Sequence, residues 1–164
     1  MKFATKVIHA HIEPDPTTGA IMTPIYQTST YVQAAPGVHK GYEYSRTQNP
    51  TRDTLEKNLA ALENGTFGAA FASGMAATDT IIKTLQPGDE VISTNDLYGG
   101  TYRLFSKVYA KFGINFRFVD LQDVEHLKKI ITHKTKMIWI ETPTNPMLNI
   151  IDVKAICDLV KSSD

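Results

Sequence analysis

Ala69-Ala70-Phe71-Ala72-Ser73-Gly74-Met75-Ala76-Ala77-Thr78 is the stretch whose reading decides the fold. Its first half is an apolar run of strand length. It breaks at Ser73-Gly74 and restarts as Ala-rich sequence, with Thr78, Ile81, Ile82 and Leu85 at helical spacing. A strand that turns sharply into a helix leaves unpaired backbone N–H groups in the helix's first turn. Together with the positive end of the helix dipole, those groups suit a phosphate. Strand–Gly–helix junctions are common, so the surrounding chain must say which anion, if any, belongs there.

Downstream the pattern repeats. Gln86-Pro87-Gly88-Asp89 is a turn with Pro at its second position and Gly at its third. Glu90 to Thr94 reads as a strand, and Gly99-Gly100 opens a helix with an apolar face of Phe105, Val108, Tyr109 and Phe112, stopped by Gly113. Asn115 to Val119 is a strand, Val124, Leu127 and Ile131 mark a helix, and Lys136 to Glu141 is a strand ending in a carboxylate. Thr142-Pro143-Thr144-Asn145-Pro146 is a rigid loop before a last helix carrying Val153, Ile156, Cys157 and Val160. Four strand–helix alternations from residue 69 onward predict an α/β fold, a mostly parallel doubly wound sheet. Ligands of such sheets bind beyond the carboxyl ends of the strands. Ser73-Gly74, Asn95-Asp96 with Tyr98, Asp120, and Glu141 to Asn145 converge there.

Upstream the character differs. Residues 1–52 are rich in Thr, Pro, Gly and Tyr without sustained periodicity, which predicts an extended arm lying on another surface. At Asn49-Pro50 an N-cap and a first-turn proline open a helix with Leu55, Leu59 and Leu62 on one face, and Asn64-Gly65 stops it. The expected organisation is therefore an arm over 1–52 and the first part of a ligand-binding domain over 53–164.

Composition removes several functions. Lys plus Arg and Asp plus Glu number 17 each among 164 residues, so net charge gives no reason to expect nucleic acid or an acidic membrane as partner. No run has the length and apolarity of a membrane span, and the first residues lack a signal-like apolar region, so the expected compartment is the cytoplasm. Cys157, the single cysteine, rules out an internal disulfide and is expected to be a buried thiol on its helix face. The five His are scattered, and no metal site is expected.

The junction fails the tests for larger phosphate ligands. G-x-G-x-x-G is absent, since Gly74 is followed by Met-Ala-Ala, and there is no G-x-x-x-x-G-K-[ST]. Ser73 lacks the glycine two residues before it that a nucleophile elbow needs. One small phosphate with an aromatic residue and an amide nearby suits a cofactor with a single phosphate and an aromatic ring.

Four stretches in order then carry a resemblance: Tyr44 to Arg52 (YSRTQNPTR), Ala72 to Ala77 (ASGMAA), Asp96 to Thr101 (DLYGGT) and Glu141 to Pro146 (ETPTNP). Together they resemble the Cys/Met-metabolism family of pyridoxal-phosphate enzymes, the trans-sulfuration enzymes, and most nearly the cystathionine γ-lyase and γ-synthase branch. The resemblance covers nearly the whole chain. It implies an aspartate-aminotransferase-like (fold type I) sheet, pyridoxal 5'-phosphate as cofactor, a small amino-acid substrate, and a homotetramer of dimers that share active sites. By the same resemblance Gly74 and Met75 give backbone N–H bonds to the cofactor phosphate. Tyr98 stacks on the pyridine and joins proton transfers, and Asn145 bonds the cofactor's phenolic oxygen. Tyr44 and Arg46 reach the cofactor of the neighbouring subunit. Ser73 and Glu141 are supporting candidates, Glu141 as a residue that positions its loop or closes an ion pair. Asp96 and Asp120 are expected to be loop and cap residues.

Family members also use a Schiff-base lysine in a Ser-x-Thr-Lys-like motif, an Asp for the pyridine nitrogen and an Arg for the substrate carboxylate. All three lie beyond the point matching Asp164, so the chain resembles the N-terminal part of such an enzyme and is expected to be inactive alone. The implied activity is γ-elimination or γ-replacement on cystathionine or a related sulfur amino acid. Methionine γ-lyase or β-lyase activity, a non-catalytic phosphate-binding fragment, and a nucleotide-binding α/β module with an atypical loop stay open alternatives.

Overall fold

The computed structural model of the chain describes residues 1–161. They fall into two compact units, Met1–Phe71 and a second beginning at Ala72.

In the first unit, α2 (Pro50–Leu62) starts as expected: the Asn49 side chain accepts from the Thr51 N–H, and Pro50 fills the first helical position. Asn64 takes the left-handed conformation (φ 54°) and the Gly65 N–H reaches back to the Ala60 carbonyl at 2.7 Å, closing the helix. The helix α1 (Phe3–His9) was not expected. It is tied to α2 by polar bonds: Lys6 Nζ donates to the Ala61 carbonyl at 3.3 Å, and Asn58 Nδ2 to the Ala10 carbonyl at 2.9 Å. Most of residues 12–48 is irregular, with isolated antiparallel bridges at Thr30–Tyr44 and Ala35–Val38. The strand expected over Ala69 to Ala72 is not formed. The chain instead runs back close along α2, where the Glu56 carboxylate takes the Ala70 N–H at 2.8 Å. Gly68 permits that approach, because a Cβ there would stand 2.4 Å from the Glu56 carbonyl oxygen.

The second unit is a parallel three-stranded sheet in the order β2-β1-β3, made of β1 (Glu90–Thr94), β2 (Asn115–Val119) and β3 (Thr135–Trp139). Residues of β1 alternate between two apolar layers. Val91 packs with Ile82, Phe105, Tyr109, Phe116 and Trp139, and Ile92 packs with Leu121, Leu127, Ile138, Ile151 and Ile156. The first layer is built with α3 (Gly74–Ile82) and with α4 (Gly99–Arg103), which continues through a π turn (Leu104–Val108) and a 3₁₀ turn (Tyr109–Phe112). The second layer is built with α5 (Val124–Ile130) and α6 (Val153–Lys161). A sheet covered on both faces by crossover helices is the expected doubly wound arrangement. Phe105 is central, stacked on Phe116 at 4.6 Å and edge-on to Trp139 at 5.4 Å between ring centroids. Cys157 is exposed rather than buried: α6 turns Ile156 into the core, and Cys157 lines an open groove of about 880 Å³ along the free edge of β3.

Candidate functional site

The helix start at Ser73-Gly74 is built as the residues predict, although no strand precedes it. Ser73 has extended backbone and its Oγ accepts from the Ala76 N–H at 3.1 Å, which satisfies one first-turn donor of α3. The Ala77 N–H bonds the Ser73 carbonyl at 3.2 Å. By helix geometry the N–H groups of Gly74 and Met75 have no intrahelical acceptor, so they are the pair left for an anion. The space beside them is open: a Cβ added to Gly74 would meet no atom within 4 Å beyond its chain neighbours and the backbone of its own helix.

That helix start forms one wall of a hollow of about 480 Å³. Its other walls are Thr78, Tyr98, Thr101, Trp139 and Glu141. Tyr98 follows β1, and Trp139 and Glu141 end or follow β3, so the hollow lies at the carboxyl ends of the strands. Its volume suits a small aromatic ring with one phosphate.

Two carboxylates join the turn after β1 to the loop after β3. Glu141 Oε2 accepts from the Tyr98 backbone N–H at 3.1 Å. Asp96 Oδ2 accepts from Thr144 Oγ1 and, at 2.9 Å, from the Met147 N–H. Thr144 is fully buried, and its hydroxyl also accepts from the Asn149 N–H at 2.8 Å. Asn145 follows directly on this anchored threonine but is not part of the wall of the hollow. Asp120 is a loop residue, accepting from the Gln122 N–H at 2.9 Å.

The far end of α3 is fixed too. Tyr109 Oη donates to Asp79 Oδ1 at 2.6 Å, and Lys83 pairs with the other oxygen of the same carboxylate at 2.5 Å. The Lys83 and Tyr109 hydrogen bonds lower the Asp79 pKa. Burial first, and then the bond to Asp79, push the Tyr109 phenol up to about 12. The helix that presents Gly74 and Met75 is thereby held at both ends.

Of the residues singled out from sequence, Ser73, Gly74, Met75, Tyr98 and Glu141 come together. Tyr44 and Arg46 belong to the first unit, with the Arg46 guanidinium 4.9 Å above the Tyr44 ring. Thr78, Thr101 and Trp139 were missed. Thr78 lies one helical turn after Gly74 and Trp139 ends a strand, so spacing and topology could have flagged both.

A family profile, "Cys/Met metabolism PLP-dependent enzyme", matches residues 4–164. The cystathionine beta-lyase of Coxiella burnetii is 55% identical, over 98% of this chain and 42% of that protein. A probable cystathionine gamma-synthase of Herpetosiphon aurantiacus is 51% identical, over 94% of this chain and 48% of that protein. The crystal structure of cystathionine gamma-lyase from Lactobacillus plantarum complexed with L-serine superposes with a TM-score of 0.92 at 48% identity, covering 100% of this chain and 43% of that one. The chain thus spans less than half the length of these relatives.

Proposed function

Because the chain belongs to the Cys/Met metabolism PLP-dependent enzyme family, we propose that the full-length protein is a trans-sulfuration enzyme that breaks or exchanges the γ-carbon–sulfur bond of cystathionine or a related sulfur amino acid. The observation that carries the proposal is the hollow that combines the open start of α3 with the Tyr98 ring. Pyridoxal phosphate, when bound, supplies the electron sink for chemistry at the substrate's carbon chain. The residues of this chain would bind and orient it. Gly74 and Met75 donate backbone N–H bonds to the phosphate, with Ser73 capping the helix that presents them. Tyr98 covers the ring face, and its phenol holds or moves a proton at the reacting carbon. Asn145 donates to the cofactor's phenolic oxygen from the loop that Asp96 anchors. Glu141 positions the Tyr98 backbone.

The segment 1–52 would reach a neighbouring subunit in a cytoplasmic homotetramer, with Tyr44 and Arg46 completing that neighbour's phosphate site. Support comes from the first unit's bare apolar residues, among them Ile25, Val32 and Phe67, each more than four-fifths exposed. Among the described residues no helix is long and apolar enough to cross a membrane. The most identical of the relatives named above is a cystathionine beta-lyase, which favours β-elimination as the second reading.

The test is to titrate full-length apoprotein with pyridoxal phosphate, following visible absorbance, and then to supply cystathionine. Cysteine with 2-oxobutanoate supports γ-elimination, and cystathionine formed from cysteine plus an activated homoserine ester supports γ-replacement. Homocysteine with pyruvate supports the β-lyase reading. No cofactor uptake overturns the proposal.

A further inference from the structure

We propose that Gly100 is a positioning residue for Tyr98: the side chain it lacks is the space that the Tyr98 ring occupies at the edge of the hollow. This inference rests on the cofactor reading above.

A Cβ built on Gly100 would stand 2.3 Å from Tyr98 Cε1 and 3.0 Å from both Cδ1 and Cζ. Carbon atoms do not approach to 2.3 Å without bonding, so any side chain at this position displaces the ring. Backbone conformation gives no competing reason for the glycine. Gly100 is absent from the residues with positive φ, and it lies in the first turn of α4, where helical backbone suits alanine as well as glycine. The backbone accepts alanine; what a side chain there would displace is the ring. The neighbouring glycine shows the contrast: a Cβ at Gly99 would meet only the flexible end of Arg103, 3.4 Å away. The Tyr98 backbone is tied on both sides, its N–H to Glu141 Oε2 and its carbonyl to the Tyr102 N–H, each at 3.1 Å, so the half-exposed ring is the freer part to shift. What must move is the ring, which turns about its side-chain torsions out of the wall it shares with Ser73 and Met75.

The experiment uses full-length protein and four variants: Gly100→Ala, Gly99→Ala, Tyr98→Ala, and Tyr98→Ala with Gly100→Ala. Affinity for pyridoxal phosphate is read by titrating the apoprotein, and melting of the apoprotein checks folding. Gly100→Ala should weaken the cofactor about tenfold, the scale of a lost aromatic stacking contact. Gly99→Ala should stay within about twofold, and so should the second substitution when it is added to Tyr98→Ala, because the ring it would displace is already gone. Wild-type affinity in Gly100→Ala overturns the inference, and so does a penalty that persists undiminished without the Tyr98 ring. If the wild type takes up no pyridoxal phosphate, the functional reading fails by itself. The role of Gly100 is then decided by the crystal structure of the Gly100→Ala apoprotein. A displaced Tyr98 ring supports the inference, and an unmoved one overturns it.

Discussion

The two units of this chain are held together in different ways. Of the buried apolar residues among those described, only Ala10 belongs to the first unit, and its one buried polar residue is Asp15. The second unit has two apolar layers around β1, with Val91, Ile92, Phe105, Leu121 and Leu127 all at 0% exposure. In the first unit, side chains bond to backbone in place of a core: Asn49 to the Tyr26 carbonyl, Thr51 to the Pro24 carbonyl, and Arg52 to the Ser45 and Thr47 carbonyls. Apolar packing gives the hollow beside α3 a fixed frame. A polar network with little burial leaves the first unit's apolar side chains bare, which is why we propose that another subunit covers them.

The largest test of this contrast is Phe105→Ala. Phe105 contacts Phe116 and Trp139, and Trp139 lines the hollow, so the cavity left behind reaches the site. Truncation of a fully buried phenylalanine should cost about 3–5 kcal/mol. Denaturant unfolding of the full-length protein measures it, with hydrogen exchange assigning the loss to peptides after Ala72. A cost below about 1 kcal/mol would mean that the core does not dominate the second unit.

The same contrast explains what could be read in advance. Strands β1 and β2, the helix start at Ser73-Gly74 and the Pro87-Gly88 turn are written in local chemistry, and all form where expected; Gly88 has φ 97° and the Asp89 N–H bonds the Gln86 carbonyl at 3.0 Å. The helix α1 was not legible, because Lys6 and Asn58 hold it through partners more than 45 residues apart in sequence. Ala69 to Ala72 has strand composition, yet Glu56 takes its Ala70 N–H. Periodicity put Cys157 on an apolar face but could not say whether anything covers that face. In the site, Ser73, Gly74 and Met75 at the helix start and Tyr98 and Glu141 in the loops after β1 and β3 were found, whereas Trp139, which ends β3, was not. The work of Gly100 was not, because it depends on where a neighbouring ring points.

A smaller effect is expected where the second unit uses polar contacts. At the amino end of the sheet, Glu90 of β1 accepts from Arg117 of β2 at 2.7 Å and from Thr135 of β3 at 2.6 Å, joining all three strands. Glu90→Gln keeps the shape and removes the charge, so it should cost about 1–2 kcal/mol, less than Phe105→Ala. Added salt should lower the wild type toward the variant, since Arg117 is 40% exposed. Denaturant melts of both proteins at low and high salt provide the check, and a loss as large as that of Phe105→Ala would erase the distinction between the units.

The smallest and most local effect lies in the first unit, at Asp15. Its Oδ1 accepts from the Thr18 N–H at 2.8 Å, the Thr17 N–H at 3.0 Å and the Thr18 hydroxyl, and its Oδ2 accepts from Tyr26 Oη at 3.2 Å. These bonds, the Thr18 N–H first, hold the carboxyl below its ordinary value of 3.8. Burial first, and then the bond to Asp15, raise the Tyr26 phenol. A carboxyl with a lowered folded pKa stabilises the loop fully above the ordinary value, and that contribution fades as pH falls from there through the folded value. Asp15→Asn keeps an acceptor for the threonines but loses the charge and turns an amide donor toward Tyr26. Near neutral pH the amides of Thr17 and Thr18 should therefore exchange faster in the variant than in the wild type. Below the folded pKa of Asp15 the two proteins should converge. A gap between them that does not change with pH would show that Asp15 acts through shape alone, and that the first unit does not depend on charge where it lacks a core.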